Sequence, residues 1–454
     1  METRGDMDKS QLVECVRTAG IVGQGGAGFP AHVKYDAEVE TVIANGCECE
    51  PLLHSDKHLM EARAEDLVRA LRTLKTAVGA RRGVIAIKGK YVRVAERLQR
   101  AMAGTDLELA LLDDFYPAGD EQVLIYEVTG RCVPPLGLPK DVGALAANVG
   151  TLVSLTDALD GKPVTHRLVT VTGEVARPAI WNVPLGTPLS DLVEACGGAA
   201  VEDPVYILGG PMMGRVVDDP KQAASTVVTK TLGGVILIPR DHYLHRRATL
   251  SLEVMARRAA TACIQCRYCT DLCPRYLIGH DFQTHKVMRA LGGGGPEAAP
   301  GSLQALLCSE CGLCELFSCP MHLSPRRLNA ALKVRFRENR VAFPEPRRVK
   351  PSQAALRGYR KIPVTRLAIK LDIARYMDLH PEFLGELKPA RVRVPLRQHI
   401  GAPAQPLVKP GDRVSVGEPV GAIPPGALGA CVHASLSGVV TAVDDAVTIT
   451  GEPS

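Results

Sequence analysis

The sequence predicts a multidomain chain of the α/β and α+β type. Residues 10–160 alternate helix-like with strand-like segments, which favours an α/β layer domain with a largely parallel sheet. Residues 165–240 read instead as short strands joined by turns, and residues 250–340 hold eight cysteines in two tight groups. From residue 396 onward, short strands and Gly/Pro turns are typical of an all-β module. At roughly 150 residues per domain, a chain of 454 residues has room for about three such units.

The first two units show their elements in order. The helical period of "SQLVECVRTAG" predicts a helix with Ser10 as its N-cap. The runs "ETVIANG" and "GVIAIKG" predict strands, "HLMEARAEDLVRALRTLKTAVG" predicts one long amphipathic helix, and "YVRVAERLQRAM" predicts another. Then "VTVTGEVARPAIWNVPLGTPLSDLVEACGG" reads as strand, turn, strand, Pro-rich turn and short helix. Together with "GGVILIP" it indicates a β-grasp-like module that ends near residue 240.

Composition excludes several classes of function. Aromatic residues make up only 4% of the chain, so a base-stacking nucleic-acid surface is not expected. No apolar run approaches the ~20 residues of a membrane span, and the charged N-terminus lacks the apolar core of a secretory signal. We therefore expect a cytoplasmic protein, in which cysteines serve more often as metal ligands or catalysts than as disulfides.

Two cysteine motifs carry the strongest chemical signal. The first is "CIQCRYCTDLCP", which matches the bacterial ferredoxin run C-x2-C-x2-C-x3-C-P, and the second is "CSECGLCELFSCP". The predicted ligands of two [4Fe–4S] clusters are Cys263, Cys266, Cys269, Cys273, Cys308, Cys311, Cys314 and Cys319. In two-cluster ferredoxins the fourth cysteine ligates the other cluster. We therefore expect Cys273 to join the second group and Cys319 to join the first.

Two other interpretations of these cysteines are zinc sites and inert core side chains. Zinc sites usually pair two C-x2-C halves across a longer gap, whereas here three cysteines at spacing three precede a fourth before Pro, twice. The second motif has four residues between Cys314 and Cys319, which lengthens a loop but removes no ligand. With all eight ligands present, the clusters are expected to carry single electrons rather than to perform bond chemistry.

A glycine-rich loop, "GIVGQGGAGFPAHVK", contains a formal G-x-G-x-x-G from Gly23 to Gly28. A Rossmann fingerprint should follow a strand and open a helix. Here the preceding residues look helical, and Pro30 stands where an apolar helix face should begin, so the Rossmann interpretation is disfavoured. A plain glycine-rich turn also stays open.

Four motifs in order resemble the flavin-binding subunit of respiratory complex I and its relative, the RnfC electron-transport subunit. They are "GIVGQGGAGFPAHVK", "VIANGCECEP", "YPAGDEQVLIYEVTG" and "ANVGT", and they cover roughly residues 15–155. The resemblance implies FMN contacts at Gly23, Gly25, Gly26, Lys34, Asn45, Glu48, Gly119, Asp120, Glu121, Asn148 and Thr151. It also implies that the nicotinamide cofactor lies over the flavin near Phe29, Glu50 and Glu121. Cys47 stands where the complex I branch has an acidic residue, and we expect it to form part of the pocket wall.

The remaining segments extend the resemblance. Residues 169–198 look like an SLBB module, and the tail resembles a barrel-sandwich hybrid of the biotinyl/lipoyl type. No lysine follows Lys409, so the tail carries no swinging arm and is expected to be structural. In RnfC this module stands at the N-terminus; its C-terminal place here resembles the cobalamin reductases of propanediol-utilisation microcompartments. The stretch "DKHLME" has the D-x-H start of a corrinoid motif but lacks its Gly, and we interpret it as a surface helix.

The implied fold combines four domains. They are a Rossmann-like FMN-binding α/β domain, a β-grasp SLBB domain, a helical two-[4Fe–4S] ferredoxin-type domain and a C-terminal barrel-sandwich hybrid. The predicted boundaries are 1–160 for the FMN- and NADH-binding domain, 161–245 for SLBB, 246–340 for the clusters, 341–395 for a linker and helix, and 396–454 for the barrel-sandwich hybrid.

The implied activity is that of an NADH-dependent oxidoreductase. NADH transfers hydride to N5 of FMN, the two clusters relay single electrons, and cob(III)alamin or cob(II)alamin is reduced. The expected partners are cobalamin or a corrinoid-handling enzyme, and shell or lumen proteins of a bacterial microcompartment. The alternative is an RnfC-like electron-transfer protein that serves flavodoxin, ferredoxin or the activator of a glycyl-radical enzyme. A shell-binding scaffold without turnover fits eight cluster ligands poorly.

Overall fold

The architecture comes from a computed structural model of the chain. It describes residues 7–290, 301–344, 349–350 and 354–451. The outermost residues of the first and last predicted domains, and parts of the cluster domain and linker, therefore lie outside the described residues. No helix within the described ranges is long and apolar enough to cross a bilayer.

The first domain is built on a parallel sheet, which confirms the α/β prediction. Its elements are α1 (Lys9–Thr18), α2 (Ala31–Tyr35), β1 (Thr41–Gly46), α3 (Ser55–Ala62), α4 (Ala64–Ala77), β2 (Arg82–Lys88), α5 (Val92–Ala101), β3 (Glu108–Leu112), β4 (Phe115–Tyr116), α6 (Glu121–Thr129), a 3-10 helix (Pro139–Val142), β5 (Ala144–Asn148) and α7 (Val149–Leu159). The sheet order is β3-β2-β1-β5, with all neighbours parallel. The chain therefore winds away from β1 in both directions, and the crevice beyond the carboxyl ends of β1 and β5 is a topological switch point, where such sheets bind ligands.

Two local details differ from the sequence prediction. The expected single long helix is two helices, α3 and α4, because Arg63 leaves helical geometry at φ −127° and ψ 41°. The N-cap of α1 is Asp8 rather than Ser10: its side chain accepts the amide of Gln11, whose side chain in turn accepts the amide of Asp8. This reciprocal capping satisfies two backbone donors at once.

The second domain follows the predicted order of strand, strand and short helix. It comprises β6 (His166–Gly173), β7 (Ala179–Pro184), α8 (Leu189–Glu194), β8 (Pro204–Leu208), β9 (Arg215–Val217), α9 (Pro220–Ser225) and β10 (Gly234–Pro239). Strand β6 lies between β7, antiparallel, and β10, parallel. Helix α8 covers one face through Leu189 and Leu192, as a β-grasp core requires.

The cysteine-bearing domain is helical. It comprises α10 (Tyr243–Ala248), α11 (Leu252–Ala262), α12 (Tyr268–Asp271), α13 (Pro274–Leu277), α14 (Thr284–Ala290), a 3-10 helix (Ser302–Leu307), a π-helical turn (Cys314–Ser318) and α15 (Pro325–Glu338). Each predicted cluster motif lies on short helices and the loops between them, where closely spaced thiols can converge.

The segment that follows connects three domains. It comprises α16 (Ala354–Arg360), β11 (Ile362–Pro363), α17 (Val364–Lys370), a 3-10 helix (Ala374–Tyr376) and β12 (Glu382–Glu386). Strand β11 pairs with β4 of the first domain, and β12 adds a parallel edge to β7 of the β-grasp sheet. The predicted linker thus contributes strands to two neighbouring sheets.

The C-terminal module consists of two small sheets. Its strands are β13 (Arg391–Pro395), β14 (Gln405–Pro406), β15 (Arg413–Val414), β16 (Pro419–Ala422), β17 (Val432–His433), β18 (Gly438–Val443) and β19 (Ala446–Gly451). The orders are β13-β19-β18-β15 and β14-β16-β17, around a core that includes Val394, Val420 and Val447. Because β13 pairs with β19, the first strand of this module begins before residue 396, where the sequence placed its start.

Candidate functional site

The glycine loop lies between α1 and α2, ahead of the first strand. The amide of Gly23 donates to the carbonyl of Phe29 at 2.8 Å, and the amide of Gly28 donates back to Gly23 at 3.2 Å. Gly26 has φ +104°, and a Cβ built on it meets nothing within 4 Å. The loop is therefore a closed turn whose glycine face is open, and it lacks the strand-to-helix setting of a Rossmann fingerprint.

Asn148 and Thr151 lie directly beside this loop. Asn148 caps α7 by accepting the amide of Gly150 at 2.8 Å, and its Cβ lies 3.7 Å from a Cβ built on Gly25. The hydroxyl of Thr151 accepts the amide of Gln24 at 2.9 Å. The predicted early and late flavin positions are thus brought together, although they are more than a hundred residues apart.

Asn45 and Gly119 form a second contact at the end of β1. The Asn45 side-chain amide donates to the carbonyl of Gly119 at 2.9 Å, and its oxygen accepts the amide of Cys47 at 3.1 Å. A Cβ on Gly119 would lie 2.3 Å from the carbonyl oxygen of Cys47. Glycine is therefore required at this point, where two loops cross. Cys47 is buried in a hydrophobic cluster beneath them, and its place in the pocket wall stays a prediction.

Lys34 and Glu121 form an ion pair between α2 and the first turn of α6. Both side chains keep about a third of their surface exposed, 31% and 40%. Asp120 is the N-cap of α6 and accepts the amides of Gln122 and Val123. Phe29 is half-buried where the glycine loop ends. We call the space bordered by Gly25, Gly26, Lys34 and the first turn of α6 the recess. A cation and a helix N-terminus border it, which suits an anionic ligand.

Glu48 and Asp56 supply two carboxyl groups close to the loop. Burial, followed by the charge of Asp56, raises the pKa of Glu48 to about 8. Burial likewise raises the pKa of Asp56, while Arg167 and the hydrogen bond from Asn148 lower it. Asn148 donates to Asp56 at 2.7 Å. Because like charges and burial disfavour ionisation, the recess holds less negative charge than its residue types suggest.

Glu50, expected near the nicotinamide, contacts the β-grasp domain in this structure. Its two carboxylate oxygens accept the amides of Met212 and Met213, each at 2.9 Å. Burial raises the pKa of Glu50 to about 7, although these two amides lower it. Its carboxylate therefore links two domains, and its role toward a nicotinamide cofactor stays a prediction.

One cavity of the helical domain is lined by Cys263, Cys266, Cys269 and Cys319, which we call the A cysteines. Its other walls are largely apolar and include Ile264, Met288 and Leu323. The amide of Leu323 lies 3.4 Å from the sulfur of Cys319. The fourth thiol comes from the second motif, which is the exchange that the ferredoxin pattern predicts.

The remaining four, Cys273, Cys308, Cys311 and Cys314, are called the B cysteines. Cys273 packs with Cys308 around Phe282 and Leu307. The thiols of Cys273 and Cys314 each lie close enough to those of Cys308 and Cys311 to interact with them electrostatically. The first motif thus supplies its fourth thiol, Cys273, to the set formed by the second motif. Each motif therefore contributes one thiol to the set of the other.

No three His, Cys, Asp or Glu side chains in the described ranges converge closely enough to hold a single metal ion. Thiols around a cubane surround four irons and stand farther apart than the ligands of one ion. Both sets of four suit the larger group: each mixes three thiols of one motif with the fourth of the other, and amide donors approach sulfurs at Cys308 and Cys319.

The B cysteines adjoin the flavin-loop domain. The hydroxyl of Tyr116 donates to the carbonyl of Cys311 at 2.5 Å. Arg275, two residues after Cys273, donates to the carboxylate of Asp120 at 2.9 Å. The residues around the A cysteines belong to the helical domain itself. The arrangement therefore runs from the glycine-loop recess through the B cysteines to the A cysteines.

Several residues of this site were not predicted from the sequence. Arg167, at the start of β6, donates to the side chain and the carbonyl of Gln24 in the glycine loop. Asp56 is 4% exposed, so the "DKHLME" helix is not the ordinary surface helix that we expected. The one available signal for Arg167 was a charged side chain within a predicted strand, "HRLVTVTG".

The glycine loop also meets a structural test for an FMN phosphate. A Cβ built on Gly26 would meet nothing within 4 Å, and one built on Gly25 would meet only the side chain of Asn148. Any side chain at these two positions would therefore occupy the open face of the loop. The Nε of Arg167 is buried without a hydrogen-bond partner among the described residues. A small anion-binding recess with cationic support behind it fits the flavin phosphate.

Four family models match the chain in consecutive blocks. They are the Nuo51 FMN-binding domain over residues 16–157, the SLBB domain over 168–216, the 4Fe–4S dicluster domain over 262–324 and the RnfC barrel sandwich hybrid domain over 385–453. These matches confirm the predicted fold classes and the FMN and [4Fe–4S] cofactors. They decide against the zinc interpretation of the cysteines.

Curated relatives match nearly the whole chain. The cobalamin reductase PduS of Salmonella typhimurium is 43% identical over 98% of this chain and 97% of its own length. The cobalamin reductase PduS of Citrobacter freundii is 42% identical over 96% of each chain. A component of the Na(+)-translocating ferredoxin:NAD(+) oxidoreductase complex of Acetobacterium woodii is 35% identical over 61% of this chain and 60% of its own length.

Proposed function

The chain belongs to the PduS cobalamin reductase family, and from this premise we propose that it is an NADH-dependent reductase that passes electrons to cobalamin. One NADH supplies two electrons, enough to reduce two cob(III)alamin to cob(II)alamin with release of NAD+ and one proton. When bound, FMN accepts a hydride and releases electrons singly, and each cluster carries one electron at a time.

The observation that carries this proposal is the contact between Tyr116 and Cys311. It joins the glycine-loop domain to the loop that bears the B cysteines at 2.5 Å. Met212 strengthens the same junction, because its amide binds Glu50 and its carbonyl accepts Arg326 of the helical domain at 2.8 Å. These contacts hold the B cysteines beside the recess that is proposed to bind the flavin.

The residues of the recess are proposed to bind and orient the flavin. The amides near Gly25 and Gly26 surround the phosphate, and Lys34 adds a positive charge at its edge. Asn45, Glu48 and the turn at Gly119 border the space left for the ring. Phe29, at the end of the loop, is the proposed contact for the nicotinamide.

The A cysteines are proposed to mark the exit. Cys266 is exposed, and so are its neighbours Ile264 and Tyr268, by 62% and 55%. Met321 lies on the same rim. An apolar exposed surface over a set of cluster ligands is where an acceptor comes within range, because electron transfer needs close approach but little buried area.

The test is an anaerobic assay of the full chain reconstituted with iron, sulfide and FMN. We expect NADH to be oxidised when hydroxocobalamin is added, with cob(II)alamin formed at close to two equivalents per NADH. The matched variant is Cys266→Ser, which should retain FMN and lose cobalamin reduction. Oxidation of NADH without any cob(II)alamin would contradict the proposal.

A second candidate is delivery of electrons to a protein acceptor such as flavodoxin or ferredoxin, or to the activator of a glycyl-radical enzyme. The observation that favours it is charge: Arg267 lines the A-cysteine cavity, and Lys286 acts electrostatically on His285, which lines the same cavity. Basic rims accelerate encounter with acidic redox proteins. Reduction rates with hydroxocobalamin, flavodoxin and ferredoxin at two salt concentrations separate the candidates; a salt-sensitive preference for flavodoxin favours the second.

We also propose that the protein works in a bacterial microcompartment, beside a corrinoid-handling enzyme and shell or lumen proteins. The support is membership of the PduS family together with the C-terminal position of the barrel module. Co-fractionation of the tagged full chain with purified microcompartments tests this. Recovery only in the free cytoplasmic fraction would overturn it.

A further inference from the structure

The glycine loop is held from outside its own domain at its beginning. The Nζ of Lys230, in the β-grasp domain, donates to the carbonyl of Gly20 at 2.7 Å. Gly20 has φ +68°, and a Cβ on it would lie 2.3 Å from the carbonyl oxygen of Cys431 in the barrel module. Three modules therefore meet at the first residue of the loop.

The middle of the loop is held by the same β-grasp domain. Both terminal nitrogens of Arg167 bind Gln24, one at its side-chain oxygen and one at its carbonyl, the latter at 3.0 Å. The side-chain amide of Gln24 then donates to Ser154 in α7 at 2.7 Å. Arg167 is 5% exposed, so this contact is made away from water.

The end of the loop is held by the barrel module. The amide of Ile400 donates to the carbonyl of Gly28 at 3.0 Å. A Cβ on Gly28 would lie 3.0 Å from the methyl of Thr231 and 3.4 Å from the Cα of His399. The β-grasp and barrel modules thus enclose the last glycine together.

Lys230 connects these contacts. Besides Gly20, its Nζ donates to the carbonyl of Cys431 at 2.6 Å, and its backbone amide donates to the side chain of Gln398 at 3.0 Å. Lys230 is 1% exposed. A buried lysine of this kind is rare unless it is fully paired, because burial of an ammonium group is costly.

We propose that Lys230 is a positioning residue for FMN: with Arg167 and the barrel module it holds the glycine loop in its phosphate-binding shape. The barrel module is then part of the flavin site rather than a passive appendage. The inference rests on the proposed function, because it takes the loop as the FMN cradle. It adds a role for residues outside the four flavin motifs.

The chemistry of Lys230 agrees with a permanent clamp. Burial lowers its pKa to about 7, and the thiol of Cys431 opposes this effect. A neutral amine still has two N–H donors, enough for both carbonyls, so the contact holds in either protonation state. Removal of the donor leaves the carbonyls of Gly20 and Cys431 without this hydrogen bond, which favours rearrangement of the first residue of the loop.

The experiment compares Lys230→Met with Lys221→Met in the full, cluster-loaded chain. Lys221 is an exposed lysine of the same domain, so its variant controls for the change of residue type. We expect the FMN dissociation constant to rise by about tenfold or more in Lys230→Met. It should stay within about twofold in Lys221→Met. Iron content should equal that of the wild type in both.

Hydrogen exchange of residues 20–28 without FMN separates the clamp from the proposed function, because it needs no flavin, NADH or cobalamin. Lys230→Met should speed exchange in these amides and leave those of β2 unchanged. Gln398→Ala, a milder change on the barrel side, should give a smaller effect in the same amides and is the substitute if Lys230→Met fails to fold. A folded Lys230→Met protein with wild-type FMN affinity and wild-type loop exchange would overturn the inference.

Discussion

At the scale of single residues, charge in the recess depends on pairing as much as on residue type. Lys34 has Glu121 as its partner, and Asp56 has Asn148. Each carboxyl is thus compensated by a specific neighbour. Substitutions that reverse one member of such a pair should therefore act on ligand binding before they act on the fold.

Lys34→Glu should weaken FMN binding first. The variant places a second carboxylate beside Glu121 and repels the phosphate, so we expect the dissociation constant to rise by about tenfold or more. The control is Lys140→Glu, which makes the same charge change at an exposed site of the same domain. Fluorescence titration measures both. Equal FMN affinity in the two variants would refute the assignment of Lys34.

Glu48→Gln should change the pH dependence of stability. The carboxyl pKa rises from 4.5 to about 8 on folding, so between these values the unfolded chain binds fewer protons than the folded one. Stability from this group is therefore complete below pH 4.5 and is lost as pH rises toward 8.

The variant has no proton to lose, so its stability relative to wild type should increase across that window. One pKa unit corresponds to about 1.4 kcal/mol, and because Glu48 keeps partial solvent contact we expect a gain on the order of 2 kcal/mol. Denaturant unfolding at pH 5, 6.5 and 8 measures it. A difference that stays constant with pH would show that Glu48 does not titrate in this range.

At the scale of elements, the two glycine turns of the site differ in what they require. The turn at Gly119 crosses the backbone of Cys47 at close range, whereas Gly25 faces open space and the side chain of Asn148. The first glycine is needed for packing. The second has no structural reason to be glycine, which points to a ligand that approaches its amide.

Alanine at these positions should separate folding from binding. Gly119→Ala should lower the free energy of unfolding by roughly 2–3 kcal/mol, because its Cβ meets a carbonyl oxygen. Gly25→Ala should change stability by less than about 1 kcal/mol and still weaken FMN binding markedly. Thermal unfolding and FMN titration on both proteins provide the check. Unaltered FMN affinity in Gly25→Ala would remove the loop from the phosphate site.

At the scale of the whole molecule, the junction between the flavin-loop domain and the B cysteines sets the path for electrons. Tyr116 and Arg275 bridge it with hydrogen bonds to Cys311 and Asp120. Both bonds are at least partly buried, so the two domains are held at a defined separation. The barrel module, although last in sequence, reaches back to the glycine loop through Ile400.

Tyr116→Phe should slow reduction of the clusters and leave the first step intact. Loss of the hydroxyl frees the carbonyl of Cys311 and loosens the junction, at a cost of about 1–2 kcal/mol. Stopped-flow mixing with NADH should show flavin bleaching at the wild-type rate and cluster bleaching several-fold slower. Tyr359→Phe, at a 90% exposed tyrosine, is the control. Equal cluster rates in both variants would place the electron path elsewhere.

Much of this protein was predictable because its signals are local. The cysteine spacing predicted both clusters, and four short motifs predicted the flavin domain. Strands β1, β2 and β10 fell where apolar runs placed them. Prediction was weaker where a feature depends on one residue: the break at Arg63 divided an expected helix, and Asp56 turned inward from an expected surface helix.

The cofactor classes follow from the sequence alone, because the ligands of a cluster and the glycines of a phosphate loop lie close together along the chain. How these parts are joined depends on the folded arrangement of the domains. Tyr116 and Cys311 are 195 residues apart, and Arg167 lies 143 residues from Gln24. Such contacts depend on how whole domains pack, and a single basic side chain such as Arg167 belongs to no periodic pattern that would predict its partner.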